Sequence, residues 1–98
     1  MKEQVYRILQ SIPKGMVVTY GQIAKTLGNK HYARVVGNIL HSNHDGEKYP
    51  CYKVVNSKGH LAHMYAFGGI EKQKEKLEAD GIEVVDYKVD LKKYQWDP

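Results

Sequence analysis

Apolar residues near the start of the chain recur at helical spacing. Val5, Ile8, Leu9 and Ile12 fall on one face and predict an amphipathic helix over about 3–11, ended by Pro13-Lys14-Gly15. Met16-Val17-Val18 is apolar but too short to assign. Thr19 with Gln22 three positions on has the spacing of a capping box. It predicts a second helix from about Tyr20 to Leu27, with Ile23, Ala24 and Leu27 inward and Gly28 as the stop. A third helix, about Tyr32 to Ser42, turns Val35, Val36, Ile39 and Leu40 inward. Ala33, Arg34, Gly37 and Asn38 form its small, polar outward face. After a polar loop over 43–48, residues 49–55 read as an extended, strand-like segment closed by the turn Asn56-Ser57-Lys58-Gly59. Residues 60–69 are irregular. Glu71 to Asp80 is a charged helix with sparse apolar positions (Ile70, Leu77 and the stem of Lys74), stopped by Gly81. Alternation over Val84, Val85, Tyr87, Val89 and Leu91 predicts a short hairpin, and Tyr94 and Trp96 are expected to pack back onto the domain.

The pattern gives an α+β chain that is mainly helical. A helix-turn-helix spans about 19–43, a cysteine-bearing segment 49–59 and a tail 82–98, all within one domain of residues 1–98. Composition narrows the class. The 98 residues suffice for one modest core. No apolar run approaches a membrane span, and Met1-Lys2-Glu3-Gln4 lacks the apolar core of a signal peptide. A single cysteine forms no internal disulfide, so a reducing, cytoplasmic setting is expected. Charge is uneven: residues 1–68 carry a net +6 and residues 69–98 a net −2. A basic front part suits a polyanion such as nucleic acid, and equally an ordinary solvated surface.

Three features carry candidate chemistry. The first is the helix pair. Ala33 and Gly37, four apart, share one face and allow close backbone approach, and Arg34 stands in the first turn, within reach of a groove or a phosphate. Plain core packing gives the same pattern. The second is Cys51. A lone thiol after a stiffening proline is either a small buried side chain or a nucleophile. The third is histidine spacing: His41 and His44, and His60 and His63, lie three apart. With no second cysteine and no regular ligand spacing, no metal is expected, and the histidines are expected to be solvated or DNA-facing.

Taken together, Ile12-Pro13-Lys14-Gly15, Val18-Thr19-Tyr20-Gly21-Gln22-Ile23-Ala24, Ala33-Arg34-Val35-Val36-Gly37, Asn43, Pro50-Cys51-Tyr52-Lys53-Val54-Val55 and Gly68-Gly69 carry a resemblance. In order and spacing they are similar to the DNA-binding and active-site domain of the O6-alkylguanine-DNA alkyltransferases and their alkyltransferase-like relatives, from about Val5 to Glu83. The resemblance implies a winged-helix-like fold and a duplex DNA partner carrying alkylated guanine. It implies no cofactor, a monomer, and a location on the nucleoid, or in the nucleus of a eukaryote. It further implies that Cys51 takes the alkyl group from guanine O6 in one irreversible displacement. Tyr20 would push on a phosphate, Arg34 would fill the vacated base stack, and Asn43 would fix the backbone before the cysteine. Thr19, Ala33 and Gly37 would line the DNA face. The carbonyls of Cys51 and Val54, with Tyr65, would line the base pocket. Each role has a physical motive. Guanine O6 is hidden inside a duplex, so the base must be flipped at a cost of about a few kcal/mol, and transfer needs a thiolate, only a few per cent of a free thiol near neutrality.

The motif also departs from the family. The histidine expected after the cysteine is Tyr52, the next arginine is Lys53, and the glutamate that orients the histidine is matched by Asp80. A Tyr52–Asp80 hydrogen bond is the remaining form of that relay. The segment before Gly68-Gly69 is about two residues longer than in the family. The companion domain that usually comes first is not matched. The ending Val89-Asp90-Leu91, Tyr94, Trp96 resembles the alkyltransferase-like proteins, which bind alkylated bases, flag them for nucleotide excision repair proteins and lack the cysteine. Direct alkyl transfer to Cys51 is therefore the first expectation and lesion binding without repair the second. A sequence-specific helix-turn-helix transcription factor is a third reading that leaves the cysteine motif unexplained.

Overall fold

The computed structural model describes residues 1–62 and 65–97. Helix α1 (Lys2–Ser11) buries Val5 and Leu9, the predicted stripe. The two-residue strand β1 (Val18–Thr19) leads into α2 (Tyr20–Thr26). The capping box is present in full. The Thr19 hydroxyl accepts from the Gln22 amide at 3.1 Å, and the Thr19 amide donates to the Gln22 side-chain oxygen at 2.9 Å. A short 3-10 turn over Lys30–Tyr32 joins α2 to α3 (Ala33–His41), completing the helix pair. Helix α3 buries Val36 and Leu40, but Val35 is 40% exposed rather than inward. Arg34 and Asn38 are exposed as expected, while Ala33 and Gly37 are half-buried.

The cysteine-bearing segment departs from the extended reading. Cys51–Lys53 forms one 3-10 turn, because the Pro50 carbonyl accepts the Lys53 amide at 3.2 Å and Cys51 lends its carbonyl to Val54. Only then does strand β2 (Val54–Val55) begin. It pairs in parallel with β1, Val18 opposite Val54 and Thr19 opposite Val55. This pair is a partition. Val18 and Val54 face a core built with α1, α2 and α3, whereas Val17 and Val55 face a second core with Leu61, Leu77, Ile82, Val84 and Val89. The strand alternation of period two sends neighbouring residues to opposite sides.

The second core is roofed by α4 (Gly69–Ala79) and the predicted hairpin, β3 (Val84–Val85) with antiparallel β4 (Lys88–Val89). Asp86 and Tyr87 form its turn with φ of 52° and 57°, the geometry of a primed hairpin turn. Tyr87 is held in this left-handed state by its hydroxyl, which bonds the Glu71 carboxylate, and by Lys74 over its ring at 5.5 Å. The tail packs back as expected. A short helix α5 (Leu91–Tyr94) brings Trp96 to donate to the Val17 carbonyl, and Val17 donates to Tyr94, both at 2.8 Å. Gln22 also donates to the Trp96 carbonyl at 2.7 Å. The architecture is a mainly helical α+β domain, and no helix among the described residues is long and apolar enough to cross a membrane.

One glycine makes a close approach. Gly59 has φ +87°, and a Cβ there would lie 2.2 Å from the Val89 carbonyl oxygen. Gly59→Ala is therefore expected to destabilise the protein by at least about 1 kcal/mol, seen as a lower urea midpoint at unchanged slope. An unchanged midpoint would mean that the 56–59 turn relaxes freely.

Candidate nucleic-acid interface and its cavity

Cys51 opens the 3-10 turn and is only 5% exposed. Asn43, also buried, follows the end of α3 and spans the approach to it. Its side-chain amide donates to the Tyr49 carbonyl at 2.8 Å and to the Cys51 sulfur at 3.5 Å, while its oxygen accepts the Asp45 amide at 3.0 Å. Burial pushes the thiol above its ordinary value. The Asn43 contact, the backbone amide of Cys51 and the Lys76 charge pull the other way without reversing it. The result is a neutral thiol.

Beside Cys51 lies a cavity of about 290 Å³, walled by Tyr20, by Gly37, Asn38 and His41 of α3, and by Ala62, Tyr65 and Gln73 across from them. Tyr20 is the first residue of α2, set by the Thr19 cap. Its phenol is raised by burial and by the nearby Cys51. Tyr65 is 7% exposed, and its phenol is pushed far up by burial first and by Cys51 second. Among the described residues, the Tyr65 hydroxyl is the buried side-chain oxygen left without a partner. Such an orphan is costly unless a ligand completes it. Tyrosine and cysteine thus face the cavity as uncharged groups, which suits a flat, neutral, hydrogen-bonding ligand.

The relay expected from Tyr52 and Asp80 is not formed. The Asp80 carboxylate accepts the Gly15 amide at 2.8 Å and faces the Lys53 ammonium at 3.6 Å; among the described residues no hydrogen bond joins it to the Tyr52 hydroxyl. The reason is Lys53, 6% exposed, whose ammonium has a carboxylate and the carbonyls of Ile12 and Pro13 within 3.3–3.6 Å. A buried ammonium takes the nearest carboxylate. Tyr52 is raised by burial and by the negative charges of Asp80 and Glu47, so it stays a phenol and offers no base. Two ammoniums lie near its ring, Lys53 at 5.9 Å and Lys76 at 5.8 Å, and Lys76 also faces Glu47 at 3.5 Å.

The remaining expected residues are placed as follows. Arg34 stands exposed on the first turn of α3, and no hydrogen bond or ion pair among the described residues involves it. A Cβ on Gly37 would meet nothing within 4 Å, so this face is open. Thr19 is 6% exposed with its hydroxyl engaged in the cap, so it positions Tyr20 rather than presenting itself. Val54 is fully buried, is not among the cavity's lining residues, and its carbonyl accepts from Gln73 at 3.1 Å. His44 and His60 are exposed, His63 lies outside the described residues, and among the described residues no cluster of three ligand-type side chains could hold a metal. Lys53 and Gln73 escape a sequence reading because both residue types are normally solvated.

Comparison with known proteins agrees with this geometry. The family model described as 6-O-methylguanine DNA methyltransferase, DNA binding domain, matches residues 1–82. A DNA base-flipping protein of Vibrio parahaemolyticus is 44% identical over 97% of this chain and 94% of its own length. A bifunctional methyltransferase/endonuclease of Picrophilus torridus is 44% identical over 94% of this chain, which spans 30% of that protein. The crystal structure of S. pombe Atl1 in complex with damaged DNA containing O6-carboxymethylguanine superposes with a TM-score of 0.89 at 35% identity, over 99% of this chain and 94% of that one. The fold, helix pair included, is thus a known architecture, and the chain belongs to the 6-O-methylguanine DNA methyltransferase DNA-binding-domain family.

Proposed function

We propose that this protein recognises O6-alkylguanine in duplex DNA by flipping the nucleotide into the cavity beside Cys51, and holds it there without transferring the alkyl group. The observation that carries the reading is the placement of Cys51: buried, touched by the Asn43 amide, with its thiol pushed up by burial and Tyr52 beside it kept as a phenol. Alkyl transfer needs a thiolate; burial suppresses it here, and Tyr52 does not generate it. Binding needs none of this. An extruded base gains stacking and hydrogen-bond partners in the cavity, the unpartnered Tyr65 hydroxyl among them. Arg34 fills the vacated stack, Tyr20 presses on the phosphate at the α2 start, and the open face of Ala33 and Gly37 admits the backbone. The matches to a base-flipping protein and to a lesion-bound structure, both over nearly the whole chain, support the same reading. Since no bond is broken, the lesion must be handed on, and nucleotide excision repair proteins are the partner class.

A second reading is direct repair. Cys51 lines the cavity, and the Lys76 charge favours its thiolate. The sulfur would bond the alkyl carbon as the C–O6 bond breaks, the thiol proton passing to water and water returning a proton to N1 of the released guanine. The two readings separate in one experiment. The protein is mixed with a duplex carrying one O6-methylguanine, and its intact mass and lesion affinity are measured beside Cys51→Ala. Selective, salt-sensitive binding with no gain in mass is expected for both proteins. A stoichiometric gain of one methyl, absent in Cys51→Ala, would establish repair instead.

A further inference from the structure

Gln73 is wholly buried in α4, a helix whose neighbouring residues are mostly charged and exposed. Its side-chain nitrogen donates to the carbonyls of Tyr52 at 3.0 Å and Val54 at 3.1 Å, on either side of buried Lys53. Its oxygen accepts the Ala62 amide at 2.7 Å. The Ala62 carbonyl in turn accepts the Tyr65 amide at 3.2 Å, and the Tyr65 carbonyl accepts the Gly69 amide at 2.9 Å, at the start of α4. One amide group thus ties the Cys51 wall of the cavity to the Tyr65 wall, and Gln73 itself lines the space between them.

We infer that Gln73 is a positioning residue that sets the width of the cavity and so the discrimination between a lesion base and a normal one. The inference rests on the flipped-base reading above. Discrimination by fit needs walls fixed in advance, because a wall that must be ordered on binding spends free energy that would otherwise distinguish ligands. An amide is the group that can do this from one side chain, since it donates at one end and accepts at the other. The two wall segments are joined along the chain by the 56–59 turn and its Asn56–His60 hydrogen bonds, and Gln73 adds the bonds that tie them together beside the cavity itself.

The test uses Gln73→Met, which keeps the bulk and removes the hydrogen bonds, and Gln73→Glu, which keeps only the acceptor for Ala62. Affinities for an O6-methylguanine duplex and the matching undamaged duplex are measured by competition at one salt concentration. Thermal unfolding is followed in parallel. In the folded variants the lesion-to-normal ratio is expected to fall roughly tenfold, while affinity for undamaged DNA and its salt dependence stay at the wild-type value. A role in stability alone would lower the unfolding temperature and leave that ratio unchanged, overturning the inference. Failure of both variants to fold would assign Gln73 to stability and overturn it equally. If the wild-type protein shows no lesion preference, the flipped-base reading itself falls, a result separate from either variant's behaviour.

Discussion

Lys53→Met is expected to lower the stability of this protein by about 3–5 kcal/mol, the cost of leaving one member of a buried ion pair uncompensated. Methionine keeps most of the side-chain volume, so the loss reports charge and hydrogen bonds rather than a cavity. The ammonium ties together three distant places: the end of α1 through Ile12 and Pro13, the cysteine turn, and the end of α4 through Asp80. Asp80 would retain the Gly15 amide, which limits the damage. Against a typical total of about 5–15 kcal/mol, the loss is large enough to read from a urea midpoint. Adding Asp80→Asn should cost less than the sum of the single changes, because the two residues share one interaction. A loss below about 1 kcal/mol for Lys53→Met, the range of exposed pairs, would show that the pair is effectively solvated.

Arg34→Ala should leave folding unchanged within about 0.5 kcal/mol, as befits an exposed residue with no hydrogen bond or ion pair among the described residues. It should nevertheless weaken binding to an O6-methylguanine duplex by roughly thirtyfold or more, the scale of an arginine hot spot of about 2 kcal/mol. Binding to undamaged duplex should fall less, since there the guanidinium contributes one phosphate contact among several. Arg34→Lys should restore the charge and not the flat surface that stacks in place of a base. Fluorescence anisotropy with both duplexes distinguishes these cases. Equal losses on the two duplexes would reduce Arg34 to an electrostatic contact, and no loss would remove it from the site.

The sequence makes some parts of this molecule plain because their causes are local. The Thr19–Gln22 capping box, the glycine stops and the Val84–Val89 hairpin depend on residues a few positions apart, and each forms as its spacing predicts. The family motifs likewise bring Tyr20, Asn43, Cys51 and Tyr65 within reach of one another. What is not plain depends on partners far along the chain. Pairing Tyr52 with Asp80 is reasonable by motif, but Lys53 lies beside Tyr52 and takes the carboxylate from it. Gln73 sits in a stretch that looks solvated, and nothing nearby announces that three backbone groups 11 to 21 residues away meet at its amide. Val35 errs in the opposite direction. It fits the apolar stripe of α3 by period, yet lies on the side that leaves the core, next to exposed Arg34.

The closure of Val17 by the tail has a consequence for biosynthesis. Val17 donates to the Tyr94 carbonyl and accepts from the Trp96 amide, and Gln22 donates to the Trp96 carbonyl 74 residues along the chain. As the chain leaves the ribosome, the helix pair is made early and β1 finds β2 once residues 54–55 arrive, but Val17 on its other edge stays without these partners until residues 94–96 follow. A nascent chain stalled before Tyr94 would hold α2 and α3 with an open strand edge, a species prone to association. The finished domain then seals in a late step, and its ability to grip a duplex should appear only at that moment.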